Sequence, residues 1–218
     1  MTPSKEDYLK TIVELGGENQ VVNNKQLVQA LQVSAASVTD MNAKLLKEGL
    51  ITHIPYKGVQ VTEKGLRIAN QLIRKHRIWE VFLAEKLGYD WKEVHADADR
   101  LEHVSSDLLI ERLFQFLGEP EVDPHGGKIP NQDGTTDNAS FCQLIDLGIG
   151  EPFLVKEVDD DTDLLEYLTQ KGIQLGAHFR LVDKEPYEGP LTLESPDGSK
   201  TILGYKAALN IFVEKMED

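Results

Sequence analysis

Six side chains able to hold a divalent cation crowd into residues 74–118: His76, Glu80, His95, Asp99, Glu102 and His103. Their spacing constrains the fold more than any other feature of the chain. His95, Asp99, Glu102 and His103 fall within an arc of about 100° on a helix of 3.6 residues per turn. His76 and Glu80 make an i, i+4 pair on the segment before. Gly88 and Asp90 separate the two segments, and Asp90-x-x-Glu93 reads as a capping box opening the second helix. Two such helices side by side would present two clusters of imidazole and carboxylate, a pair of metal sites. A solvated polar face has the same spacing, so the flanking sequence has to decide.

The N-terminal flank reads as three helices and a hairpin. Thr2-Pro3 looks like a cap with proline at the first helical position, and Tyr8, Leu9, Ile12, Val13 and Leu15 follow at helical spacing up to Gly16-Gly17. A second helix starts after Asn23 or Asn24 and carries Leu27, Val28 and Leu31. A short turn leads to Ser34, which caps a third helix from Ala35 to Lys47. Leu50–Ile54 and Val59–Thr62 then read as strands around Pro55-Tyr56-Lys57-Gly58. Helix-turn-helix plus wing is a DNA-binding pattern. The outward face of the third helix offers Ser34, Ala35, Ala36, Ser37, Thr39, Asp40, Asn42 and Lys44. Small residues permit close approach to the groove floor, and Ser, Thr and Asn can read base edges. Lys44, Lys47, Lys25 and the wing's Lys57 are candidates for phosphate contact.

Glu63–Arg77 reads as a long linking helix and Asp90–Leu117 as another. The second carries Val94, Ala98, Leu101, Val104, Leu108, Leu109, Leu113 and Phe116, enough apolar surface to suggest a dimer seam. Glu119–Ser140 is loop-like and contains Asp123-Pro124-His125, again ligand types. Beyond Phe141 five short strands, Phe153–Val158, Phe179–Asp183, Leu191–Glu194, Thr201–Leu203 and Ile211–Glu214, suggest a small barrel. Between the first two runs Asp159-Asp160-Asp161-Thr162-Asp163, a solvated loop or a source of oxygen ligands. The fold expected is mainly α with a β C-terminal domain: a winged helix-turn-helix over 1–70, a helical metal-binding and dimerisation domain with trailing loop over 71–140, and a small SH3-like β-barrel over 141–218.

Net charge is −14, which argues against nucleic acid unless the charge is segregated. It is segregated: residues 1–70 carry 8 Lys+Arg against 7 Asp+Glu, and the acidity lies in the remainder. The polar start and the lack of a long apolar run point to a cytoplasmic protein with no membrane partner. One cysteine, Cys142, excludes an internal disulfide and a multi-thiolate zinc site, and reads as core.

Winged helix, His76-x3-Glu80, His95-x3-Asp99-x2-Glu102-His103 and a barrel-like C-terminal domain together resemble the diphtheria-toxin-repressor family, in particular its manganese-responsive branch. Arg74-Lys75-His76-Arg77, Leu101-Glu102-His103-Val104-Ser105 and Pro124-His125-Gly126-Gly127-Lys128-Ile129-Pro130 carry the likeness in detail. The resemblance implies a primary site of Asp7, Asp99, Glu102 and His103. It implies a secondary site of His76, Glu80 and His95, with Asp160 and Asp163 lent by the C-terminal domain. Asp99 stands where that branch usually has Glu, and Asp123 where close relatives have Cys; Asp123 is expected at the primary site, with His125 as a further candidate ligand. Hard oxygen donors suit Mn(II) or Fe(II), and Asp7 in place of a Met tilts the reading to manganese, two ions per subunit. The function implied is a homodimeric Mn(II)-activated repressor of metal-uptake genes, bound to an inverted-repeat operator in double-stranded DNA, with no small-molecule substrate. Without metal, Asp7, Asp99 and Glu102 are expected to repel and push the first helix and its winged head away. An iron-responsive relative and a metal-dependent hydrolase are the alternatives.

Overall fold

The computed structural model describes residues 2–136 and 141–216. The last four residues of the expected 119–140 loop therefore lie outside the described residues. The chain forms two compact units: Met1–Trp79 with Asp99–Phe116 and Ile129–Asp137, and Glu80–Ala98 with Leu117–Lys128 and Asn138–Asp218.

The first unit opens with α1 (Pro3–Glu14), α2 (Asn24–Leu31) and α3 (Ala35–Lys47). Asn23 and Gln26 close a reciprocal capping box on α2, and the Ser34 hydroxyl accepts from Ser37 N to start α3. Gln32, in the left-handed region at φ 53°, makes the turn between the two helices. β1 (Ile51–Ile54) and β2 (Gly58–Val61) pair antiparallel as the wing, with Ile51 opposite Val61. Leu9, Ile12, Val22, Leu27, Val38, Leu45 and Val59 bury together beneath them. Gly58 is needed at the wing's root: a Cβ there would lie 2.1 Å from Val22 O, and its φ is +144°. Sequence reading and structure agree here because every element is local and carries its own cap or turn.

The helical middle differs from the expectation in two places. α4 runs unbroken from Glu63 to Leu87 rather than ending near Arg77. The expected single helix over 90–117 is two helices, α5 (Val94–Glu102) and α6 (Asp107–Phe116). Ser105 explains the break. Its hydroxyl donates to Leu101 O at 2.6 Å and accepts from Trp79 Nε1 at 2.8 Å, while Lys75 Nζ takes Ser105 O. A side chain that competes for helical carbonyls ends the ladder, and Ser106 then caps α6 through Leu109 N. The Asp90–Glu93 box is half made, Asp90 N donating to Glu93 Oε2, and it precedes a turn, so α5 starts only at Val94.

In the second unit β3 (Cys142–Gln143), β4 (Pro152–Val158), β5 (His178–Lys184), β6 (Leu191–Glu194), β7 (Lys200–Leu203) and β8 (Ile211–Lys215) form one antiparallel sheet in the order β3-β8-β4-β5-β6-β7. Two helices escape the sequence reading, α7 (Thr162–Lys171) and α8 (Tyr205–Ala208). The aspartate run is the start of α7: Asp161 accepts from Leu164 N as its cap. Phe153, Leu165, Leu168, Leu181 and Val213 centre the core, with Cys142 half-buried at its margin. No helix among the described residues is long and apolar enough to cross a membrane.

Candidate metal centres

In the first unit α1 supplies Glu6, Asp7 and Lys10, α4 supplies His76, α5 supplies Asp99 and Glu102, and His103 follows α5 directly. Asp7 Oδ1 lies 2.8 Å from His103 Nε2, and Glu6 Oε2 lies 2.9 Å from His103 Nδ1. Glu102 is 1% exposed, and its Oε2 lies 2.6 Å from His76 Nδ1. Asp7, Glu102 and His103 bring ligand atoms within 4.8 Å of one another, as do His76, Asp99 and Glu102. These are the four residues expected at a primary site, joined by His76 Nδ1.

Two residues of this cluster were missed. Lys10 is buried at 6% exposure, and its ammonium donates to Glu102 Oε2 at 2.9 Å and Asp99 Oδ1 at 3.3 Å, with His76 Nδ1 at 3.0 Å. Glu6 is the other. The signal was present: Lys10 is the i+3 neighbour of Asp7 on one helical face. A resident ammonium and an imidazole thus lie among the carboxylates expected to repel one another, and Asp99 and Glu102 still raise the Asp7 carboxyl.

The electrostatics agree. Burial, then Asp99 and Glu102, push the Asp7 carboxyl above its ordinary value against the pull of His103. Burial pulls the His103 ring down, but Glu6, Asp7 and Glu102 outweigh it and raise it above 6.5. Burial likewise pulls Lys10 down, while Glu102, Glu14 and Asp99 more than offset it, so the ammonium stays charged. Among the described residues Glu102 Oε1 has no hydrogen-bond partner. A buried lone pair of that kind, beside hard carboxylate and imidazole donors, fits a hard divalent ion.

In the second unit Glu80 from α4, His95 from α5, Asp160 ahead of α7 and the 123–125 loop converge. His95 Nδ1 is hydrogen-bonded to Asp160 Oδ2 and lies 3.8 Å from Glu80 Oε1. His125 Nδ1 lies 3.8 Å from Glu80 Oε2, and its Nε2 3.7 Å from Asp160 Oδ1. Nε2–H donates to Trp91 O at 2.7 Å, so in the neutral ring Nδ1 is the nitrogen with the lone pair. That Nδ1 is buried with no hydrogen-bond partner among the described residues, which suits a metal ligand oriented by a carbonyl behind it. Asp123 groups with Glu80 and His125, in the second unit rather than with the primary residues. The reason is local: Asp123 Oδ1 accepts from His125 N and Gly127 N, which holds it in the tight 123–127 turn. Asp163 is not in the cluster. It sits exposed on the first turn of α7, beside a groove of about 380 Å³ with Tyr167, Lys206 and Asn210. Capping by Asp161 sends the chain into a helix and carries Asp163 to solvent.

Gly126 fixes the His125 turn. Its φ is +89°, and a Cβ would meet Lys156 O at 2.0 Å. Gly126→Ala is expected to cost more than about 1 kcal/mol of stability, since neither backbone can yield cheaply. Urea unfolding checks it, and a midpoint equal to wild type would show that the turn tolerates a side chain.

On α3, Ser34, Ala35, Ala36, Ser37, Thr39, Asp40 and Lys44 are exposed, as are Lys25 and Lys57, and Asn42 is half-buried. Several are already engaged: Lys44 pairs with Asp40 at 2.6 Å and Asn42 Nδ2 donates to Asn24. Tyr56, fully exposed at the wing tip, was not singled out from sequence.

Three known family domains match the chain in succession. The N-terminal DNA binding domain of iron dependent repressors matches residues 1–59, their metal binding and dimerisation domain 62–131, and the FeoA domain 142–215. The diphtheria toxin repressor of Corynebacterium diphtheriae is 30% identical over 227 residues, 99% of each chain. A manganese-dependent transcriptional repressor solved in complex with manganese superposes with TM-score 0.88 at 34% identity, over 97% of this chain and 99% of that one. The manganese regulator SloR superposes with TM-score 0.87 at 38% identity, over 99% and 100%.

Proposed function

Since this chain belongs to the diphtheria-toxin-repressor family of metal-dependent transcriptional repressors, we propose that manganese(II) is its activating metal, two ions per subunit, and that it represses manganese-uptake genes as a cytoplasmic homodimer. The family consists of DNA-binding repressors, not enzymes, so the hydrolase reading is set aside. The observation that carries the metal assignment is the first cluster's donor set, Asp7, Asp99, Glu102 and His103, which holds oxygen and nitrogen but no sulfur. Such donors favour a hard or borderline ion. Glu80, His95, Asp160, His125 and Asp123 are the residues we assign to the second ion.

When bound, a dication supplies two positive charges at one point, which offset the carboxylates of α1 and α5 together. The rest is the work of the chain. Asp7 sits on the helix that opens the winged unit, so its tie to α5 orients α3. Ser37, Thr39 and the Ala35–Ala36 pair face the major-groove floor, and Lys25, Lys57 and Tyr56 flank it. In a dimer two such helices reach half-sites about 34 Å apart, or a multiple, which gives the operator its inverted repeat. Val104, Leu108 and Phe116 are 79%, 70% and 67% exposed, and these with Leu109 form the seam we assign to the dimer. Leu108→Glu is expected to yield a monomer at micromolar concentration and to weaken operator binding at least about tenfold, since two linked half-sites bind far more tightly than one. Light scattering after size exclusion reads it, and a persistent dimer would place the seam elsewhere.

A mobility shift on a manganese-transporter promoter, titrated anaerobically with Mn(II) and with Fe(II), tests the whole reading. Retardation at lower Mn(II) than Fe(II) supports it. Activation at lower Fe(II) makes the protein iron-responsive, the metal in the family's domain names.

A further inference from the structure

Lys10 stands where a second cation would have to be accommodated. Its ammonium donates to Glu102 Oε2 and Asp99 Oδ1, on two of the carboxylates a metal in the first cluster would draw on, and lies 3.0 Å from His76 Nδ1. The free lone pair that suits a metal is on Glu102 Oε1, and Lys10 holds the other oxygen of the same carboxylate, so an ammonium and a dication would share one anion and repel at close range. Fully buried lysines are rare unless paired, and this one is held by anions from another helix rather than by neighbours along α1.

We propose that Lys10 is a built-in competitor for the first metal position, a tethered cation that sets the metal concentration at which the protein responds. The inference rests on the metal reading above. Glu14 supplies the place for the displaced ammonium. It lies one turn further along α1, on the same helical face as Lys10, and burial raises its carboxyl against the pull of Lys10, His76 and Arg77. Four methylenes let Nζ swing between the two ends of that arc while the helix stays in place. Lys10 therefore has a carboxyl partner in both states, Glu102 with Asp99 in one and Glu14 in the other, whose ionised form the arriving ammonium favours. The competitor keeps the cluster from closing on trace metal, and it keeps the metal-free protein folded around its buried carboxylate.

The test is calorimetric titration with Mn(II) at one fixed pH, with thermal unfolding of the metal-free protein beside it. Lys10→Met removes the charge and keeps the length. It is expected to tighten Mn(II) binding at the first position at least about tenfold while lowering the metal-free melting temperature. Lys10→Arg keeps a cation and should restore wild-type affinity to within about threefold. Glu14→Gln removes no ligand, its metal-free melting temperature checks the fold, and it should weaken Mn(II) binding about two- to fivefold, because the displaced ammonium has no carboxylate to go to. Should Lys10→Met not fold, Glu14→Gln and Lys10→Arg carry the decision. Unchanged or weaker Mn(II) affinity in Lys10→Met, or unchanged affinity in Glu14→Gln, overturns the proposal. Failure of the metal reading itself looks different: wild type would take up no Mn(II) that Asp7→Ala removes.

Discussion

Asp7→Ala is expected to remove the metal dependence of operator binding and leave the fold intact. Coupling between a metal site and a DNA site is worth about 1–3 kcal/mol, so Mn(II) should raise wild-type operator affinity about 5- to 150-fold, and that ratio should fall to near one in the variant. The stability change is small because opposing effects meet at this side chain. Alanine forfeits a 2.8 Å contact with His103, but it also relieves an aspartate held above its usual protonation range by burial and by Asp99 and Glu102. The side chain is 41% exposed, so the net change should lie within about 1 kcal/mol. Fluorescence anisotropy on operator DNA, with saturating Mn(II) or a chelator, gives the ratio, and the melting temperature gives the control. A variant that keeps a tenfold metal response would show that the bond between α1 and α5 is not the switch.

How much of this could be read from the sequence depends on how local each instruction is. The winged unit was legible almost to the residue, because Asn23, Ser34, Gly58 and the apolar spacing each act within a turn or two of the chain. The ligand types on α4 and α5 were legible for the same reason. What escaped was decided at longer range. The break after Glu102 comes from Ser105 being bonded at once to Leu101 O, to Trp79 and to Lys75, two of which lie on another helix. Asp123 was expected at the primary site because a carboxylate beside a histidine carries no address; the backbone amides of His125 and Gly127 supply it. Asp160 and Asp163 were indistinguishable as letters in a run, and the cap made by Asp161 separates them. Lys10 was overlooked because a lysine on an amphipathic helix usually reaches solvent. Here α1 turns it inward, toward anions about ninety residues away in sequence.

Glu102→Gln should behave in the opposite way to Asp7→Ala and injure the metal-free protein most. The Glu102 side chain is fully buried and holds Lys10 at 2.9 Å, in a ring that also contains His76. Removing one partner of a buried pair costs about 3–5 kcal/mol, since the other charge is left in a poor dielectric. Asp99 remains 3.3 Å from the ammonium but is half exposed, so the cost should fall at the lower end, about 3 kcal/mol. For a chain of this size that is a drop of about 6–12 °C in melting temperature. Part of the cost comes from the stranded lysine, so the double variant Glu102→Gln/Lys10→Met should recover most of it. Metal response should stay lost in the double variant, because the ligand is still missing. A single variant that melts within about 2 °C of wild type, or a double variant no more stable than the single, would mean that the buried carboxylate and the ammonium do not depend on each other, and the picture of an internal cation held in the metal's place would have no energetic basis.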